Sequence, residues 1–397
     1  MNNPPRVLPA RLWFRASCLT ALLWICQPRS ARAEDSLTYK YSSYAEDDNR
    51  IRVKSNYALA QADFGPDTSL KLMGLTDSIA GATPTGALPA AAGDPTPTGF
   101  MKDFRRAANL DLARQFQAVN VDLGLGISKE SDYLSHAWSV NTLTDFNRKN
   151  TRVLLGYAGT DDTIMEPLLG WTSDRHKKGA DFIIGLTQLA DPDDALTLNF
   201  SYGRVSGYLD DPYKIVSTTM LNVDPGTYYT VPENRPREKN HFSVFLGTNS
   251  NFADMHGALE TSYRFYHDTF GITSHTGTLR WLQDIGDTFV FEPFVRYSIQ
   301  SAADFYHYNL DAAGIVTAYD PASGETGTGA APFYSSDYRL SRQRTTDVGV
   351  KMTWKISAKT ALDIAYDRYI THGLDQVTPQ DAYSKAGIFT VGLKYTR

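Results

Sequence analysis

The chain has 397 residues, with 39 Lys and Arg against 44 Asp and Glu and a formal net charge of −5 at pH 7. Because the excess is acidic, the overall charge argues against nucleic acid and against anionic lipid as partners. The only cysteines are Cys18 and Cys26, so the chain beyond them has no disulfide, thiol nucleophile or thiolate metal site.

The first 33 residues have the pattern of a secretory signal peptide. Three arginines, a short apolar run and the triplet Ala31-Arg32-Ala33 follow one another before two acids. The run is too short for a membrane helix, which needs about 20 residues, and a small-x-small triplet is typical of a cleavage site. We therefore expect residues 1–33 to be removed and residues 34–397 to form a single domain.

From there on, apolar and polar residues alternate in many segments. Residues 119–128 place the apolar side chains on one face and polar residues or glycine on the other, and the pattern recurs at 196–203, 347–356 and 362–367. Alternation with period two is typical of β-strands that have one apolar and one polar face. The chain is therefore predicted to be all-β.

The connections between these segments alternate between short and long. Seven short links lie near residues 65–67, 116–117, 148–150, 191–193, 251–253, 285–287 and 357–359. The longer set lies near 77–101, 160–177, 207–238, 301–337 and 371–382, with shorter members near 47–49, 129–133 and 268–272. Fifteen connections join sixteen strands, with fourteen or eighteen as the alternative counts.

This asymmetry of the connections predicts a transmembrane antiparallel up-and-down β-barrel of the bacterial outer membrane. An even number of strands puts both termini at the periplasmic end, with the short turns there and the long loops outside. A soluble β-sandwich also has alternating strands. The signal peptide, the missing cysteines, the unequal loops and the 23 tyrosines favour the barrel.

The last segment supports the same interpretation. Phe389, Val391, Leu393 and Tyr395 share one face, which resembles the last-strand signal that the barrel assembly machinery reads. That machinery is therefore an expected partner during biogenesis. The match is incomplete, because the signal usually ends in an aromatic residue and this chain ends in Arg397.

Several stretches together resemble one family. They are SSYAEDDNRI (42–51), DSIAGATPTG (77–86), SKESDYLS (128–135), DFNRKNT (145–151), DDPYKIVS (210–217), ENRPRE (233–238), YRFYHDTFGITSHT (263–276) and SSDYRLS (335–341). The family is that of bacterial outer-membrane barrels catalogued as domain of unknown function 3570. The resemblance implies a location and an architecture, no activity, and at most a loose link to envelope redox proteins.

If the apolar face meets lipid, a set of charged residues lies inside the barrel and is a candidate lumen lining. The set is Asp111, Asp122, Glu260, Arg264, Glu292, Arg296, Lys351, Asp363 and Asp367. Such rows tune ion selectivity or position a polar solute. Equally, they pair across strands and merely satisfy one another in a crowded interior.

The densest basic cluster, YRLSRQR, contains Arg339, Arg342 and Arg344. Facing acids across a constriction, these arginines would build a transverse field; at a boundary between loop and strand they would bind outer-leaflet phosphates. The long loops at 77–101 and 301–337 are candidates for a plug or constriction.

No catalytic residue, metal site or cofactor is predicted. The Asp-Asp pairs lack the spacing of a calcium loop, and the eight histidines are scattered. Ser274 and His275 invite comparison with barrel lipases, but neighbouring residues of a strand point to opposite faces.

The expected function is a porin-like channel for small polar solutes, because a barrel of about sixteen strands encloses an aqueous channel unless loops fold in. The alternative is a non-conducting scaffold that holds a periplasmic or surface partner, such as an envelope redox protein. An outer-membrane hydrolase is the third and weakest hypothesis. Outer-membrane lipid and lipopolysaccharide are the other expected partners.

Overall fold

A computed structural model describes residues 35–165, 174–219, 229–315, 319–320, 325–326 and 332–397. The predicted signal peptide, residues 1–33, lies outside the described residues. The described residues form one closed antiparallel barrel of sixteen strands and two small hairpins that belong to its loops.

The barrel strands follow one another around the cylinder in sequence order. They are β1 (Ser36–Glu46), β2 (Arg52–Phe64), β3 (Thr68–Pro84), β4 (Thr98–Phe116), β5 (Val119–Lys129), β6 (Tyr133–Phe146), β7 (Thr151–Ile164), β8 (Arg175–Leu189), β9 (Asp194–Gly207), β12 (Glu238–Phe252), β13 (Gly257–Asp268), β14 (Thr273–Ile285), β15 (Phe289–Gln300), β18 (Gln343–Ser357), β19 (Thr360–Gly373) and β20 (Lys385–Thr396). The loop hairpins are β10 (Ile215–Thr218) with β11 (Tyr229–Pro232), and β16 (Tyr319–Asp320) with β17 (Glu325–Thr326).

The barrel closes between its first and last strands. β1 and β20 pair antiparallel from Ser36↔Thr396 to Glu46↔Ala386. Closure leaves no free sheet edge, so every strand can satisfy its backbone N–H and C=O groups without water. The predicted all-β, sixteen-stranded, up-and-down architecture is confirmed.

The short links form tight turns at the end of the barrel that also holds both termini. Gly65 and Gly286 adopt φ of 70° and 59° in two of these turns, a region that glycine enters without a steric cost. The N–H of Arg397 donates to the carbonyl of Asp35 at 2.8 Å at the same end. All seven predicted short links fall here, which makes this end periplasmic and the long-loop end extracellular.

The hairpin of β3 and β4 is longer than the sequence predicted. The two strands stay paired to Pro84↔Thr98, so the connection predicted at 77–101 is a loop only over 85–97. The alternation fades in this stretch because small residues replace large apolar ones. One of them, Gly81, has φ of 138° and lies where a Cβ would clash with the carbonyl of Arg50. The hairpin therefore projects beyond the rim of its neighbours.

Large apolar side chains cover the outside of the cylinder. Leu110 and Leu112 of β4 and Leu123 and Leu125 of β5 are 41–63% exposed. Such a belt around a closed barrel requires lipid as its solvent, and the protein is therefore a β-barrel of the bacterial outer membrane.

Across the described part of the chain, no helix has the length and apolar character needed to cross a membrane.

The buried apolar clusters lie at the extracellular end of the barrel, and several of them are formed by the long loops. One joins Val216, Val231, Leu310 and Tyr334, and so links β10 and β11 to the loop between β15 and β18. In that loop Leu310 opens the one-turn helix α1 (Leu310–Ala313), whose N-terminus is capped by Asn309. The long loops therefore have a packed core of their own.

Candidate functional site: the lumen and its extracellular cap

The nine charged residues proposed for the lumen lie on the inward face of the wall. Asp111 alternates with the exposed Leu110 and Leu112, and Lys351 alternates with the exposed Val350 and Met352. The same alternation places Asp122, Glu260, Arg264, Glu292, Arg296, Asp363 and Asp367 inside. Charges of both signs therefore face one interior.

Several of these charges form ion pairs across neighbouring strands. Lys351 Nζ lies 2.6 Å from Glu292 Oε1, and Arg280 Nη1 lies 3.1 Å from Glu260 Oε2. Arg280 was missed from the sequence, although its alternation with Leu279 and Trp281 was the available signal. Glu260 pairs with it across strands instead of with a residue of its own strand, as cross-strand neighbours on one face do.

On the opposite part of the wall, β6 to β12, the inward charges are paired, as in Arg152 with Asp145, Lys177 with Asp162 and His241 with Asp181. The inward face there presents hydroxyl and amide groups, including Ser139 and Asn141 of β6, Asn199 and Ser201 of β9 and Ser243 of β12. Ser201 and Ser243 share a hydrogen bond of 2.8 Å between their hydroxyls. The interior thus has an ionic side on β13 to β19, whereas on β6 to β12 hydroxyl and amide groups are accompanied by a few paired charges.

Inward glycines thin the wall on β7 and β8. A Cβ at Gly156 would clash with the amide of Asn141, and one at Gly185 would clash with the amide of Asn199. These amides therefore lie flat over the glycines instead of projecting toward the barrel axis. The glycines make room for these amides against the wall.

Three long loops meet over the extracellular mouth. Their described parts, within 85–97, 208–237 and 301–342, are called the cap. The loops leave the rim between β3 and β4, between β9 and β12, and between β15 and β18, which separates them by six, four and six of the sixteen strands. Loops that start so far apart can touch one another only by crossing the mouth.

The loop between β3 and β4 is bound to the loop between β9 and β12 through backbone groups. The ammonium of Lys214 donates to the carbonyl of Pro84, the N–H of Ile215 donates to the carbonyl of Thr85 at 3.1 Å, and the N–H of Leu88 donates to Ser217 Oγ at 3.0 Å. Lys214 is only 1% exposed. This contact therefore spans six strands of the rim and excludes water.

The loop between β15 and β18 is bound to the loop between β9 and β12 through buried ion pairs. Arg235 Nη2 lies 2.9 Å from Asp337 Oδ2, and Arg339 Nη2 lies 2.5 Å from Asp211 Oδ2. Ser335 donates its hydroxyl to Glu233 at 2.5 Å. The alternation of cations and acids between two loops satisfies charges that would be costly to bury alone.

Burial perturbs the titration of this cluster. It lowers the pKa of Lys214 to about 8, a shift that nearby acids such as Asp337 oppose. It raises the pKa of Glu233 to about 8, against the opposing charge of Arg235. Burial alone would also raise the pKa of Asp337, but Arg339, Lys214 and Arg235 hold it well below its usual range. The pKa of each of these buried groups is therefore set by its burial and by the charges of its neighbours in the cap.

The fourth long connection, between β19 and β20, joins the cap at its edge. Asp381 accepts hydrogen bonds from the N–H of Thr96 at 2.8 Å and from its hydroxyl at 2.5 Å. Arg50 donates to the carbonyl of Asp381 at 2.6 Å. The rim between β19 and β3 is thus fastened to the tip of the projecting hairpin.

The three arginines of YRLSRQR do not act as one cluster. Arg339 lies in a turn of 3₁₀ helix inside the cap, where it pairs with Asp211 and Asp337, and so it does not reach lipid. Arg342 and Arg344 are exposed, and Arg344 lies on the outward face of β18. The candidate plug loops 77–101 and 301–337 do meet, as parts of the cap.

The cap residues were not predicted as a site, although four of the family-like stretches meet there. They are DSIAGATPTG, DDPYKIVS, ENRPRE and SSDYRLS, which contribute Pro84, Lys214, Glu233 and Asp337. Closely spaced charges of opposite sign in these loops, as in ENRPRE and SSDYRLS, were the signal that could have indicated a buried network.

Two smaller groups complete the polar features. Ser274 lies on the inward face of β14, whereas His275 lies outward, 2.7 Å from the hydroxyl of Tyr263. Among the described residues, Asp103, Glu130 and Asp132 bring one carboxylate oxygen each within 4.8 Å of one another. The sequence did not indicate this acidic group.

Comparison with solved structures finds other outer-membrane barrels. A loop L8 deletion mutant of OmpT from Vibrio cholerae is 10% identical, with a TM-score of 0.43 over 92% of this chain and 98% of that chain. A bacterial polysaccharide outer membrane secretin is 6% identical, with a TM-score of 0.48 over 92% of this chain and 99% of that one. The siderophore receptor PirA from Acinetobacter baumannii is 11% identical, with a TM-score of 0.43 over 87% of this chain.

The chain spans only 54% of the length of that siderophore receptor. No curated protein matches the chain by sequence. These likenesses say nothing about activity.

The sequence does match one family, described as protein of unknown function (DUF3570), over residues 19–176 and 167–380. The two matches together take in most of the chain, including every barrel strand except β20 and all three loops of the cap. The chain therefore belongs to the DUF3570 family.

Proposed function

We propose that this barrel is a porin-like channel for small polar solutes whose extracellular mouth is closed by the cap. The observation that carries the proposal is the polar interior, with ion pairs on β13 to β19 and hydroxyl and amide groups beside a few ion pairs on β6 to β12. An interior that only had to be filled needs neither polar groups around its whole wall nor glycines that let amides lie flat against it.

The paired charges fit passage better than storage of a fixed ligand. Glu292 with Lys351 and Glu260 with Arg280 present both signs side by side, so a zwitterionic or hydroxylated solute finds partners at each step without being trapped by one strong charge. Opening and closing of the cap then determine whether the interior is continuous with the outside.

The second candidate is a non-conducting scaffold that holds a periplasmic or surface partner, such as an envelope redox protein. The observation that favours it is the buried ion network of the cap, since loops held together by buried ion pairs suit a barrel whose mouth stays closed. The two candidates predict different behaviour when these buried ion pairs are removed.

Single-channel recording in planar bilayers separates them. Folded wild-type protein is compared with the R339M variant, which removes one partner from Asp211 and Asp337, and with R342M as an exposed control. Rare openings of the wild type that become frequent in R339M, with the same unit conductance, support the channel. A folded R339M barrel that never conducts rejects it in favour of the scaffold.

A further inference from the structure

Three exposed cations stand at one level on the outside of the barrel. Lys54 and Arg106 lie ten residues before the ends of β2 and β4, at Phe64 and Phe116, and Lys129 lies ten residues after the start of β5 at Val119. A tilted membrane strand needs about 9–11 residues to cross the bilayer. All three cations therefore lie at the extracellular boundary of the membrane.

The three belong to one continuous patch of the sheet. Arg106 is the register partner of Lys129 on β5 and of Thr76 on β3, and Lys54 is the register partner of Ser78 on β3. Neighbouring strands lie about 4.8 Å apart, so the cations and the two hydroxyls between them fall within the reach of one headgroup.

Two more cations lie one level higher, away from the membrane. Arg52 and Lys102 are both register partners of Ala80 of β3, and both are exposed on the same face. The outward faces of β2 to β5 carry no Asp or Glu at either level. None of the five cations forms an ion pair with a residue that the structure describes.

Several other cations at this rim are matched by acids. Lys178 pairs with Asp161 at 3.4 Å, Arg204 pairs with Glu238 at 2.6 Å and Arg368 pairs with Asp47 at 2.5 Å. The rim is thus neutralised on β7 to β12 and on β19, whereas β2 to β5 retain their charge. The acidic balance of the whole chain does not cancel this patch, because charges act over a screening length of about 10 Å.

We propose that the outward face of β2 to β5 is a binding site for the phosphates of an outer-leaflet glycolipid, held by Lys54, Arg106 and Lys129 and supported by Arg52 and Lys102. Lysine and arginine bind phosphate oxygens through charge-assisted hydrogen bonds, and the hydroxyls of Ser78 and Thr76 can add donors. The lipid acyl chains would lie along the apolar belt below. The site is independent of whether the barrel conducts.

A second copy of the chain is a poorer occupant. A symmetric dimer through this face would place the same cations against one another, and like charges repel. A lipid phosphate has the complementary charge at the level where it is needed.

The test compares lipid binding by the folded protein with that of two variants. The probes are bisphosphorylated lipid A and its dephosphorylated form, detected by native mass spectrometry after release from detergent. The first variant is K54Q/R106Q/K129Q. The control is R114Q, because Arg114 is on the same face of β4 but near its periplasmic end, and it lies over the ring of Phe116 at 5.4 Å much as Arg106 lies over Phe104 at 5.1 Å.

We expect wild type and R114Q to retain bisphosphorylated lipid A, and the triple variant to retain at least tenfold less. Dephosphorylated lipid A should bind all three proteins equally weakly. Equal retention by wild type and the triple variant overturns the proposal, as does equal retention of the two lipids by wild type. Full displacement of lipid A by millimolar inorganic phosphate would identify a free-anion site and also overturn it. Dimers that form without lipid and vanish in the triple variant would assign the face to a second copy.

Discussion

Arg339 and Asp211 belong to different loops that leave the barrel four strands apart, yet their side chains meet at 2.5 Å. Asp211 and Asp337, the two acids that share this guanidinium, are nearly inaccessible to solvent. One arginine therefore neutralises two buried carboxylates and joins two loops.

Replacing this arginine should open the cap without unfolding the barrel. Removing one partner of a buried ion pair costs about 3–5 kcal/mol, and the loss falls on the loops because the wall has its own hydrogen bonds. We expect trypsin to cut after Lys214, which is buried in the closed cap, at least tenfold faster in R339M than in wild type. R342M, which changes an exposed residue, should match wild type. Equal cleavage of R339M and wild type would show that the ion pairs of Arg339 do not stabilise the closed cap.

The closed cap should become more stable as pH rises from about 8 to 10. Burial lowers the pKa of Lys214 from 10.5 to about 8, so between these values the opened cap binds more protons than the closed one, and closing is favoured by rising pH. Glu233 acts with the opposite sign, because its raised pKa makes the closed cap lose stability as pH rises from 4.5 to about 8. The two windows do not overlap.

Hydrogen exchange over residues 210–218, corrected for its intrinsic pH dependence, measures this effect. Protection in wild type should grow from pH 8 to 10, whereas K214M, which has no titrating amine there, should show none of the gain. K102M is the control, since Lys102 is exposed outside the cap. An identical gain in K214M would assign the pH dependence to another group.

Breaking the Glu292–Lys351 pair should change the charge selectivity of the channel. The two groups lie 2.6 Å apart on the inward face, so K351Q leaves a negative charge and E292Q a positive one. We expect K351Q to raise the cation preference and E292Q to lower it, each by on the order of twofold in permeability ratio. Reversal potentials in a salt gradient measure the ratio, with outward-facing R114Q as the unchanged control. Indistinguishable ratios in both variants would remove this pair from the conduction path.

An added side chain at Gly203 should destabilise the barrel. A Cβ there would clash with Asp181 and His241, which lie 3.1 Å apart across the strand. Overpacking of this kind costs about 1–3 kcal/mol, so G203V should lower the midpoint of urea unfolding. G277V is the matched control, because the space around Gly277 on the outward face of β14 is open. Equal midpoints for G203V and G277V would contradict the crowding at Gly203.

The strands of the barrel wall were predictable because local sequence patterns indicate them. Alternation and the position of each short link are properties of neighbouring residues, and they located all sixteen strands. The prediction was weakest at 77–101, where small residues hide the alternation although the strands remain paired to Pro84↔Thr98.

The cap was not predictable by the same means. Lys214 contacts Pro84 and Arg235 contacts Asp337 over separations of more than 100 residues, and no local pattern states which loops will meet. For the same reason the sequence suggested one cluster of Arg339, Arg342 and Arg344. In the structure Arg339 lies in a 3₁₀ turn inside the cap, whereas the other two are exposed. Long-range partners decide whether a loop charge is buried or exposed.

The spacing of the cap loops around the rim also has a mechanical consequence. A cylinder made of one sheet is easily flattened, because hydrogen-bonded strands hinge about one another. The cap loops reach inward from three points of the circumference, six, four and six strands apart. Because they are bound to one another across the mouth, they resist such flattening. The extracellular opening should therefore keep a circular cross-section when the surrounding bilayer presses on it, while the periplasmic opening, which is joined only by short turns, is free to become oval.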